Sequence, residues 1–320
     1  MIGLFFLFLI QLIWASSYVA QKMAVTAMPL GLVLILRYGI ATLLFLLAGQ
    51  LNFKEKFSRK EWLLIFFVGV LNFTGSPFFQ LTALTKTVAI DTAILITFEP
   101  LVTTLLAILF LKERINRWTW LAFFAATVGV MIMSLHRSAL GVFQWTRLWG
   151  DLIFLCSLLC EATCSTASRH LTQKYSPLKL IAWMTCAGFL ANLLANFPLL
   201  TSQNLKAIPV AGWLDLFYLA LFCSCIGYGV WVSLLKRISV SQLSLSLFLQ
   251  PILGTFFAVL ILNEKLDFKT VLGGMVVLTS LLVWLLFRGF QKQNGDIDMV
   301  ADLGGGGAVN EISQKTMPVR

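Results

Sequence analysis

The chain has 320 residues, 59% of them hydrophobic and only 12% charged, against about 25% charged residues in a soluble domain. Its formal net charge is +10, but the basic residues fall between long apolar runs. There they orient a membrane chain and meet anionic headgroups, so the composition points to lipid and away from nucleic acid as the partner.

Taken in chain order, ten apolar segments read as membrane spans: 2–22, 30–50, 62–84, 88–111, 118–135, 149–169, 178–200, 211–235, 241–262 and 269–288. A hydrocarbon core of ~30 Å takes about 20 apolar residues per helix. The first segment has no basic leader ahead of Lys22 and many similar segments follow it, so it reads as a span and not as a signal peptide. The stretch 289–320 is polar, contains Gly304 to Gly307 in a row, and reads as a disordered tail. The even-numbered connections and the C-terminal side carry sixteen Lys and Arg residues against seven in the odd-numbered connections. That asymmetry places both termini in the cytoplasm. Arg37 alone is left inside a span.

Polar residues within these spans are the candidates for function, because each is costly in lipid. In span 1, Gln11, Trp14 and Tyr18 are spaced i, i+3, i+7 and share a helix face. Arg37 in span 2 can hold a substrate carboxylate or phosphate through its planar fork, or neutralise an acid such as Glu161 or Asp91. Asn72 lies inside span 3. Glu99 in span 4 lies ~16 Å from Val88 at the helical rise, about halfway through the hydrocarbon. Thr92 and Thr103 share its face. A carboxyl at that depth either carries a proton to and fro or stays protonated as a hydrogen-bond donor. Glu161 in span 6 sits at similar depth, and two neighbouring carboxyls would titrate as a pair. Two acids against one arginine favour a cation, a zwitterion or a proton over a polyanion. Tyr228 and Trp231 in span 8 and Gln250 in span 9 complete an aromatic and polar lining suited to a small organic ligand. Trp231 and Tyr18 also suit interfacial anchoring, as do Trp62, Trp118, Trp120, Trp145 and Trp149 at span ends. Cys156, Cys160 and Cys164 lie on one face of span 6, a pattern of close helix packing, and no metal site is expected.

Spans 4 and 9 repeat one another. Thr97 to Glu113 reads TFEPLVTTLLAILFLKE, and Phe248 to Glu264 reads FLQPILGTFFAVLILNE. Pro100 falls on Pro251 and Glu113 on Glu264, while Glu99 is answered by Gln250. Each proline removes a backbone donor and loosens the helix four residues back, at Ile96 and Leu247. Corresponding fourth and ninth spans imply a five-helix unit. An odd number of passes inverts the second copy, which is the architecture of many secondary transporters.

With these features the chain resembles the drug/metabolite transporter superfamily, in its EamA-like ten-helix branch. The resemblance rests on the P…LKE and P…LNE helices, on LIWASSYVAQK at 12–22, on LILRYGIATLLF at 34–45, and on the helix junctions at 80–100 and 232–251. The first-helix pattern often has glycine after its tryptophan, where Ala15 follows Trp14 here. The resemblance implies an all-α polytopic membrane protein of ten transmembrane helices in two inverted-topology five-helix repeats. The expected units are 2–135, 149–288 and a cytoplasmic tail at 289–320. It implies a secondary transporter of the bacterial inner membrane, and neither a nucleic-acid partner nor a cofactor is expected. The expected cargo is an amino-acid-like or cationic solute, exported in exchange for protons by rocking of the repeats around a midplane pocket. Import or exchange of a metabolite such as S-adenosylmethionine is the alternative, and a non-transporting scaffold or receptor is the third reading. No Walker A, H-E-x-x-H or G-x-S-x-G pattern occurs, which leaves an ATP-driven pump or an intramembrane protease without support. Ala125 and Gly129 form a small-xxx-small pair that can pack within the chain or form a homodimer.

Overall fold

The computed structural model describes residues 2–51, 57–84, 95–135, 145–202, 205, 208–262 and 268–291. All regular structure among the described residues is helical. Helix α1 (Ile2–Ala27) turns at Pro29 into α2 (Leu30–Leu47). Next comes α3 (Arg59–Val70), a π-helical turn (Leu71–Gly75) and α4 (Ser76–Leu84). A 3-10 turn (Ile96–Phe98) leads into α5 (Glu99–Leu111), then α6 (Arg117–Leu135), α7 (Trp145–Thr172) and α8 (Pro177–Ser202). Helix α9 (Val210–Tyr218), a nine-residue π-helical segment (Leu219–Gly227) and α10 (Tyr228–Leu235) form one rod. The last elements are α11 (Val240–Ser244), a 3-10 turn (Leu245–Phe248), α12 (Leu249–Leu262) and α13 (Phe268–Gln291).

Among the described residues six stretches are long and apolar enough to cross a membrane: Leu30–Leu47, Arg59–Gln80, Trp149–Thr172, Pro177–Leu200, Val210–Leu235 and Val240–Phe257. Four shorter apolar helices accompany them: Phe5–Ser17, Glu99–Leu111, Arg117–Ile132 and Val271–Trp284. The expected third and eighth spans are broken by π-helical turns, and the fourth and ninth carry 3-10 turns where the prolines were expected to loosen them. The cause at Pro100 is plain. It has no N–H to give to the Ile96 carbonyl, and the Glu99 N–H donates to that carbonyl instead, tightening the turn. Thr92 and Asp91, Glu264, and the tail beyond Gln291 lie outside the described residues. Helix α13 continues to Gln291, past the expected span end at 288.

Helix ends follow local chemistry. Ser58 and Glu61 cap α3 reciprocally, which satisfies two free N–H groups at once. At the other end of α5, Lys112 takes a left-handed φ of 54°, and the Glu113 N–H donates back to the Ala107 carbonyl at 3.3 Å. That turn aims the Glu113 carboxylate across at α11, where it accepts from the N–H groups of Val240 (2.8 Å) and Ser241 (3.1 Å) and from the Ser241 hydroxyl.

The helices pack where backbone can approach backbone. Helix α6 runs along α13, and a Cβ on Gly129 would lie 2.8 Å from the Gly273 carbonyl. The Gly129 face is therefore filled from within the chain. Helix α3 meets α8 at Gly69, whose bare Cα faces the Met184 carbonyl. Helices α4 and α5 flank α7, and α1 lies against α12 and the Leu219–Gly227 segment. Large apolar side chains such as Leu194, Leu47, Phe110 and Phe124 point outward, as lipid-facing positions of a membrane protein do.

Candidate functional site

A run of aromatic rings crosses the interior. Trp14 on α1 stands between Trp231 (5.3 Å between ring centroids) and Tyr228 (5.4 Å) of α10. Tyr228 meets Phe73 at 5.1 Å, and Phe73 meets Tyr38 at 5.1 Å. The polar tips are placed as well. The Trp14 indole donates to the Cys223 carbonyl at 3.2 Å, and the Trp231 indole donates to Ser165 at 3.1 Å. The Cys223 acceptor lies in the π-helical segment. Gly227 leaves the space that Trp14 occupies, since a Cβ there would lie 2.7 Å from the indole nitrogen.

Arg37 closes one end of this run. Its Nε donates to Ser224 at 3.0 Å, and its guanidinium lies 5.2 Å from the Tyr38 ring centroid. The sequence also allows an ion pair from Arg37 to Glu161; among the described residues Arg37 pairs with Ser224 and Tyr38 instead. Asn72, in the first π-helical turn, is 3% exposed and lies beside Tyr228. Its Nδ2 has no partner within 3.5 Å among the described residues, and its longer-range interaction is with the Tyr228 side chain.

The acids form a second limb. Glu161 on α7 accepts from Ser76 at 2.6 Å and from Gln80 at 2.9 Å, both on α4 and both to Oε1. Glu99 opens α5, which packs on α7, and lies within electrostatic reach of Glu161. Tyr38 and Tyr228 share that reach. The structure thus brings the two candidate carboxyls to adjoining helices beside the aromatic run.

A third limb is built from amides. Gln11 donates through Nε2 to Ser246 at 2.8 Å, and its Oε1 accepts from Gln250 at 2.9 Å. Both glutamines are buried. Gln250 immediately precedes Pro251, as Glu99 precedes Pro100. The Tyr18 side chain lies outside the described residues.

Several contributors escape a reading of single polar residues: Tyr38, Phe73, Ser76, Gln80 and Ser224. Two signals were present. Pro77 inside an apolar run frees the Phe73 carbonyl, and Asn192 of α8 donates to that carbonyl at 2.8 Å. The spacing S-x-x-x-Q also occurs in both limbs, as Ser76/Gln80 and Ser246/Gln250. Among the described residues no three His, Cys, Asp or Glu side chains gather as a metal site.

Apolar helices around a buried aromatic and polar interior define a multi-pass membrane protein. The chain belongs to the EamA-like transporter family, whose model matches residues 1–135 and 148–286. It is 26% identical over 284 residues to an uncharacterized transporter of Archaeoglobus fulgidus, covering 85% of this chain and 93% of that one. It is 23% identical over 248 residues to the uncharacterized transporter YyaM of Bacillus subtilis, covering 77% and 81%. A solved crystal structure aligns with a TM-score of 0.76 at 18% identity, over 89% of this chain and 98% of the other. That likeness concerns the fold.

Proposed function

We propose that this transporter is a proton-coupled exporter of small amino-acid-like or cationic solutes, working by alternating access in a bacterial inner membrane. The observation that carries the reading is the Glu99 and Glu161 pair on adjoining helices beside the Trp14, Tyr228 and Trp231 rings. Aromatic faces can hold a cationic group. A carboxyl pair can trade a proton for that cation, because holding both charges at once is unfavourable.

The moving parts would be two inverted five-helix repeats, 2–135 and 149–288, with ten passes and both termini cytoplasmic. Matching features in the two halves support this reading. Helix α1 packs on α12 as α7 packs on α5, and α3 packs on α8 as the Leu219–Gly227 segment packs on α2. Both halves carry a π-helical break, and both carry a 3-10 turn just ahead of the aligned proline.

Proteoliposomes with an imposed proton gradient test the proposal, using labelled amino acids and organic cations as probes. Wild type should move at least one probe against its gradient, and Glu99→Gln should lose that coupling while still equilibrating the probe. Gradient-driven flux that survives in Glu99→Gln would remove Glu99 from the coupling step.

A further inference from the structure

The two S-x-x-x-Q pairs perform the same operation on different chemistry. Residues four apart on an α-helix share a face, so Ser76 and Gln80 of α4 present a hydroxyl and an amide side by side; Ser246, in the 3-10 turn, and Gln250, in α12, meet on Gln11. The second pair grips Gln11 at both ends of its amide. That grip engages the amide through both its nitrogen and its oxygen, and it holds nothing that titrates. The first pair grips Glu161 differently. Ser76 Oγ and Gln80 Nε2 both donate to Oε1, at 2.6 and 2.9 Å, and Gln80 Nε2 also points at Ser76 Oγ at 3.4 Å. Among the described residues nothing donates to Oε2 of Glu161.

We propose that Ser76 and Gln80 are positioning residues that fix Oε1 of Glu161 as a permanent acceptor and so reserve Oε2 as the atom that takes and releases the transported proton. The inference rests on the reading above, that Glu161 exchanges a proton during transport. An oxygen that accepts two hydrogen bonds is the carbonyl-like oxygen of the acid form and an ordinary anionic oxygen of the carboxylate. The clamp therefore survives both states without rearrangement. The proton bonds to Oε2 and cancels the charge; on release its electron pair stays on Oε2. The titratable groups facing Glu161 are Glu99 from α5, Tyr228 from α10 and Tyr38 from α2, with Cys160 and Cys164 of its own helix. Cys186 lies on α8, which packs against the same helix. Of these, Glu99 is the acid able to share the Oε2 proton.

Infrared difference spectroscopy of the purified full-length chain in lipid reads the clamp directly. A pH titration gives the carbonyl stretch of each protonated carboxyl, and its loss in Glu161→Gln identifies the Glu161 band. Two donors on the carbonyl oxygen lower that frequency. The band should therefore move to higher wavenumber in Ser76→Ala and in Gln80→Leu, hold its position in Ser76→Thr, and ignore Gln250→Leu. A Glu161 band unmoved by both clamp variants would overturn the positioning role while leaving the proton reading intact, as would an equal shift in Gln250→Leu. No Glu161 band at any pH would overturn both.

Discussion

Trp231 is 3% exposed, and its indole N–H donates to Ser165. From sequence it suits either a pocket wall or an interfacial anchor; burial inside the aromatic run takes it away from the anchoring position. Trp231→Phe should lower stability by about 1 kcal/mol, the usual net value of one buried hydrogen bond. Trp120, 46% exposed on the outer surface, provides the comparison, and Trp120→Phe should stay within about 0.5 kcal/mol of wild type. Thermal midpoints in detergent measure both. Equal losses would mean that the Ser165 bond contributes nothing. Asn72 was legible as a polar residue inside a span. That its amide faces Tyr228 depends on what α10 brings opposite it, which no local pattern reveals.

Among the helices, close approach is set by glycine. A Cβ on Gly69 would lie 2.3 Å from the Met184 carbonyl oxygen, a backbone atom that cannot rotate away, whereas Gly254 has nothing within 4 Å. Gly69→Ala should therefore separate α3 from α8 and cost about 1–3 kcal/mol, the usual range for overpacking. Gly254→Ala should be neutral or gain up to about 1 kcal/mol, because alanine favours the helix interior. A neutral Gly69→Ala would show that α3 and α8 are not in contact at this point. The breaks at Pro100 and Pro251 were readable because proline's missing N–H has a fixed consequence. At the π-helical break Leu71–Gly75 Pro77 was a signal, though its partner Asn192 was not; the break at Leu219–Gly227 had no such mark, and it meets Trp14 and Arg37 from other helices.

Across the whole molecule, two carboxylates tie the first half of the chain to the second. Glu113 holds the start of α11. Glu61 accepts from Lys174 and from Tyr175, each at 2.7 Å. The hydrogen bond to Glu61 holds the Lys174 ammonium's pKa above its ordinary value. A cation whose folded-state value is raised stabilises the fold below its unfolded value, about 10.4, and loses that contribution as pH rises through the folded value. Lys174→Gln should thus lower the thermal midpoint slightly between pH 7 and 9, and the gap should close as pH rises through the folded-state Lys174 value. The effect is small because the Lys174 side chain is 66% exposed and screened by solvent. A gap that persists unchanged at high pH would mean that charge has no part in the tie.

Sequence alone determined that this is a helical membrane protein with related fourth and ninth apolar segments, because hydrophobic length and proline spacing act within one helix. It also set Glu99 and Glu161 within apolar segments, because the hydrophobic pattern is a local property. Tertiary structure decided which polar groups meet. Arg37 lies with Ser224, Gln11 joins Gln250, and Glu161 rests in the grip of Ser76 and Gln80. The reason is physical: in lipid every buried polar group needs a partner, and several can serve until the packing of bare backbone at Gly69, Gly129 and Gly227 fixes which helices are neighbours.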